Sequence, residues 1–65
     1  MMRTKLIAFR GKRSQKEMAK RYNVSQQAWN AWEQGLYAPK PNIMKKIEFD
    51  SGIPMEVIFF DVFNK

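Results

Sequence analysis

The sequence predicts an all-α chain, a compact bundle of about five short helices around one core. Three observations carry that expectation. Apolar residues recur at three- and four-residue spacing within short segments, those segments end at glycine or asparagine, and Ser14 and Ser25 stand where helix N-caps belong. Residues 57–60 alone have strand composition, and the chain offers them no second strand to pair with.

Leu6, Phe9 and Arg10 close a first short helix, which Gly11 ends. Ser14 and Glu17 form a Ser-x-x-Glu capping box, so a second helix starts there, with Met18, Ala19 and Tyr22 on one face. Asn23 suits a left-handed residue after that helix, and Val24 drops into the core behind it. Ser25 caps a third helix, whose inner face carries Ala28, Trp29 and Trp32 and which Gly35 stops. Residues 36–41 read as a rigid loop, because Pro39 and Pro41 each restrain their predecessor. A fourth helix over 42–50 turns Met44 and Ile47 inward and ends at Gly52. Ile53 is expected to be buried, and Pro54 to open a last short helix containing Val57, Ile58 and Phe59.

The 65 residues read as one small domain, 45% apolar and 14% aromatic, ample for a packed core. There is no cysteine and no histidine. Disulfides, thiol catalysis and the usual zinc ligands are therefore excluded, as are the common enzyme constellations, and neither a cofactor nor a small-molecule ligand is expected. No apolar run approaches the ~20 residues of a membrane span, so a soluble, cytoplasmic protein is expected. The net charge is +6, unevenly spread: residues 1–40 carry nine Lys or Arg against two acids, residues 41–65 three against four. A basic N-terminal two-thirds calls for an acidic partner.

Two short helices joined through Tyr22-Asn23-Val24-Ser25 make a helix-turn-helix candidate. The exposed face of the second begins with Gln26, Gln27 and Asn30. Amide side chains carry both donor and acceptor and can bond bidentately to adenine in the major groove. On an isolated helix the same three amides could simply face solvent. Trp29 and Trp32 could stack on bases as in single-strand binders, but their three-residue spacing on the inner face assigns them to the core.

The runs Ser14-Gln15-Lys16-Glu17-Met18-Ala19, Tyr22-Asn23-Val24-Ser25-Gln26-Gln27 and Trp32-Glu33-Gln34-Gly35, with Pro39 after them, resemble the lambda-repressor-like (Cro-type, Xre family) helix-turn-helix domains. The tail from Gly52 through Phe59 is similar to that family's closing pattern. The resemblance implies that the helix starting at Ser25 enters the major groove of double-stranded DNA. Gln26, Gln27, Asn30 and Ala31 would then meet bases, Ala31 through a thymine methyl. Lys12, Arg13, Gln15, Lys16, Ser25, Tyr37 and Lys40 would contact phosphates, and Arg10 would pair with Glu33 in a structural role. Two departures stand out: a short turn over 11–13, and Glu48 at a position that is often small and apolar.

Val57, Ile58, Phe59, Phe60, Val62 and Phe63 are too many large apolar residues for one short terminal helix to bury, and Val57, Phe60, Val62 and Phe63 are the candidate patch left exposed. A homodimer on a palindromic operator is the expected use, with a loosely ordered tail as the alternative. The function expected is a sequence-specific transcriptional regulator, as a repressor of bacterial, phage or mobile-element type. The competing reading is a protein-interaction module, such as an antitoxin or anti-repressor, whose DNA binding is secondary.

Overall fold

The computed structural model describes residues 2–64, and among them every regular element is helical. The order is α1 (Thr4–Arg10), α2 (Gln15–Arg21), α3 (Gln26–Gln34), α4 (Pro41–Ser51), α5 (Met55–Ile58) and α6 (Phe60–Phe63). The radius of gyration, 10.5 Å, is that of a folded globule of this length. No helix among the described residues is long and apolar enough to cross a membrane.

Local chemistry sets each boundary. Gly11 stops α1 at φ 59, ψ −128, a conformation open to glycine and strained for other residues. Ser14 Oγ accepts from Glu17 N at 3.0 Å, and Glu17 reaches back to Ser14 N, so the capping box forms. Asn23, at φ 56, ends α2: its N–H bonds Lys20 O while Val24 N bonds Ala19 O at 2.9 Å. This is a Schellman closure, and it carries Val24 onto the core. Ser25 Oγ caps α3 by accepting from Ala28 N at 3.0 Å. Gly35, at φ 75, closes that helix with a second Schellman pair, in which Leu36 N bonds Ala31 O.

The core gathers Leu6, Met18, Ala19, Tyr22, Trp29, Trp32, Met44, Ile47, Ile58 and Phe59. Trp29 is fully buried, stacked on Tyr22 at 5.6 Å and 13°, so it is closed to base stacking. The Tyr22 hydroxyl donates to Asp50 at 2.7 Å; burial and this bond hold its pKa well above the usual tyrosine value.

Three boundaries differ from the sequence expectation. Pro41 is not in the loop but occupies the first turn of α4, where its missing N–H costs nothing. Pro54, expected inside the last helix, lies just outside it as the N-cap of α5. That last helix is two: the chain breaks at Phe59 (φ −107, ψ 45). An unbroken helix turns about 100° per residue and would aim Ile58 and Phe59 apart. The break lets both sit in the core, while Ile53 is only half-buried.

A residue that the sequence analysis does not single out closes the bundle. Arg3 is 4% exposed. Its guanidinium binds Asp61 bidentately at 2.9 and 2.8 Å, and its Nη1 donates to the carbonyls of Trp32 and Tyr37 at 2.8 and 2.6 Å. Arg3 therefore ties α6 to the end of α3 and the loop beyond it. The same guanidinium holds the Asp61 carboxyl below its ordinary pKa, against a smaller opposing effect of burial.

Candidate nucleic-acid interface

The packing of α2 against α3 is the most extensive between any two helices. It leaves Gln26 and Gln27 exposed on the first turn of α3, with Asn30 half-buried one turn on. With Gln15 they line a cleft of about 270 Å³. An adjoining cleft of about 430 Å³ shares Gln26 and is lined by Lys16, Lys20 and Asn23 as well. Hydrogen-bonding amides thus sit beside two ammonium groups at the mouth of one helix. Among the described residues, neither the Gln26 nor the Gln27 side chain has a hydrogen-bond partner. Lys20 is absent from the sequence expectation, although it lies one turn after Lys16 on α2; that i, i+4 spacing is the signal that could have found it.

Beneath the cleft lies a polar cluster centred on Glu33, which is 2% exposed. Arg10 Nε and Trp29 Nε1 both donate to its Oε2, at 2.7 and 2.6 Å. Gln15 Nε2 donates to its Oε1 at 2.9 Å and to Asn30 Oδ1 at 3.0 Å. Gln34 Nε2 also donates to Asn30 Oδ1, at 3.2 Å. Burial pushes the Glu33 carboxyl up, but the bonds from Arg10, Gln15 and Trp29 and the Arg10 charge bring it below the ordinary value. Glu33 is therefore an ionised, fully coordinated carboxylate that braces three helices, and its acidity is turned away from the surface.

The other residues singled out in the sequence fall into two groups. Lys12, Lys16, Ser25, Tyr37 and Lys40 are exposed, Tyr37 at 71%. Ser25 already spends an oxygen lone pair on its cap. Arg13 is occupied elsewhere: it donates to Phe9 O and Arg10 O at 2.6 and 3.1 Å and lies over the Phe9 ring. It closes the C-terminus of α1, where free carbonyls and the helix dipole favour a cation. Its Nε and Nη2 are thus engaged by carbonyls of α1. Ala31 is half-buried on α3.

In the terminal apolar patch Val57, Phe60 and Phe63 are 43%, 55% and 48% exposed, and Val62 is half-buried against the core. Glu48, the unusual residue of α4, accepts from Met55 N at 2.7 Å and so caps α5.

A family model described as helix-turn-helix matches residues 6–48, the span from α1 through most of α4. Neither the curated proteins nor the solved structures hold a significant match to the chain.

Proposed function

Because this chain belongs to the helix-turn-helix family, we propose that its 65 residues act as one sequence-specific double-stranded-DNA-binding domain, a cytoplasmic transcriptional repressor of bacterial or phage type. The observation that carries this is the surface of α3: two unpartnered glutamines and a braced asparagine open onto a cleft whose neighbour holds Lys16 and Lys20. Amides suit base edges, and ammonium groups suit phosphates. In this reading Gln26, Gln27, Asn30 and Ala31 face bases. Ser25, Lys12, Arg13, Lys16, Lys20, Tyr37 and Lys40 hold the backbone, and Gln15 and the Arg10–Glu33 pair set the register of α3. Two copies joined through Val57, Phe60 and Phe63 would span the half-sites of a palindromic operator.

The test is a salt series on a defined duplex. Lys16→Ala should weaken binding to all sequences alike and lower the salt slope by about one. Gln27→Ala should leave the slope unchanged and degrade one base position. Equal behaviour of the two variants would refute the division into backbone and base contacts. The second reading, an interaction module, is favoured by the exposed Phe60 and Phe63. It requires a stable complex with another protein and DNA binding without sequence preference.

A further inference from the structure

We propose that Glu33, through Gln15, makes Asn30 a donor-only side chain and so sets its base preference to guanine. The inference rests on the base-reading role of α3 proposed above.

The hydrogen bonds carry it. An ionised carboxylate can only accept, so the atom of Gln15 that meets Glu33 Oε1 at 2.9 Å is its amide nitrogen. That same nitrogen meets the Asn30 side chain at 3.0 Å, and the atom receiving it is Oδ1. Gln34 Nε2 reaches that oxygen at 3.2 Å, which fills its second lone pair. Asn30 Oδ1 is therefore spent, and Nδ2, with two hydrogens, is the polar atom Asn30 has left to offer in the cleft it lines with Gln26 and Gln27. A free asparagine offers an acceptor beside a donor, which matches adenine N6 and N7. An NH₂ group alone matches the paired acceptors of guanine, O6 and N7. The bidentate adenine contact expected from residue type is thus closed to Asn30, because a buried carboxylate two bonds away has already used its oxygen.

The buried cluster also dictates how the relay can be reversed. Both Trp29 Nε1 and Arg10 Nε donate to Glu33 Oε2, at 2.6 and 2.7 Å. Arg10 also reaches Oε1, but only through Nη2 at the longer 3.3 Å. In Glu33→Gln the amide oxygen keeps the two short bonds by taking the Oε2 position, at the loss of that longer one, and the amide nitrogen then stands where Oε1 faces Gln15. Gln15 then turns its oxygen to the cluster, Asn30 donates to it, and Asn30 Oδ1 points outward. That outward acceptor matches the amino groups of adenine or cytosine.

The experiment is DNA selection with the full chain as wild type, Asn30→Ala, Glu33→Gln and Gln15→Leu. The position that degenerates in Asn30→Ala is the one Asn30 reads. The wild type should enrich guanine over adenine there by roughly tenfold, the discrimination of one good base contact. Glu33→Gln should reverse that preference, and Gln15→Leu, which leaves against Asn30 only the exposed Gln34 amide, itself able to turn, should bring guanine and adenine to parity. Gln15→Leu spares the Ser14 capping box and the Arg10 pair, so it carries the test if Glu33→Gln fails to fold. A wild type that prefers adenine at that position, or a guanine preference that survives both variants, overturns the relay and leaves the DNA-binding reading standing. Selection of no motif by the wild type overturns the base-reading role and this inference together.

Discussion

Replacing Arg3 by Met keeps the aliphatic stem and removes every bond the guanidinium makes. Two carbonyls, of Trp32 and Tyr37, lose a donor, and Asp61 loses a bidentate partner. Leaving one half of a buried ion pair costs about 3–5 kcal/mol. Asp61 keeps 29% of its side chain exposed and regains water, so the lower end applies, about 3 kcal/mol. For a domain this small, that is most of its stability and a fall in Tm of roughly 15 °C. Urea unfolding followed by the fluorescence of buried Trp29 and Trp32 reads it directly. Asp61→Asn should cost less, because an amide oxygen still accepts from Arg3, and the double variant should show a coupling of about 2 kcal/mol. A loss below about 1 kcal/mol in Arg3→Met would refute the idea that Arg3 ties α6 to the body of the protein.

Glu33 and Asp61 both titrate below their ordinary values when folded, so each stabilises the fold above the usual carboxylate range near pH 4. That stability should drain as pH falls through their folded values, seen as a falling urea midpoint; a midpoint flat to about pH 3 would contradict it. Asn23 sits at φ 56, so Asn23→Gly should be neutral or slightly stabilising and Asn23→Val should cost about 1–2 kcal/mol, measured by thermal unfolding. Equal Tm values for the two variants would contradict the left-handed turn. Phe60→Ser with Phe63→Ser should leave the monomer folded and abolish self-association in sedimentation; persistence of a dimer would move the interface elsewhere.

Signals written locally in the chain were the legible ones. Ser14, Ser25, Asn23 and Gly35 act within a turn of themselves, and their types name the caps and closures they make. The Arg10–Glu33 pair, 23 residues apart, was reachable only through family resemblance. Arg3 and Asp61 lie 58 residues apart with no periodic pattern between them, so nothing in the sequence singled out the pair. Proline marks a helix start without saying on which side of it. Pro41 enters α4, whereas Pro54 offers its carbonyl to Val57 and Ile58 from outside α5. On the candidate interface, residue types located the amides of α3, but not which of their atoms are already spent. That depends on where a buried carboxylate and Gln15 meet them.

The central claim, that α3 reads DNA sequence, is tested most directly by selection from a random duplex pool at two salt concentrations, with wild type and with Gln26→Ala plus Gln27→Ala. The expected result is a two-fold symmetric motif that persists at the higher salt and loses positions in the double variant. Recovery of unselected DNA, weakening steeply with salt and unchanged by the two substitutions, would contradict it and leave Lys16 and Lys20 as a non-specific anchor.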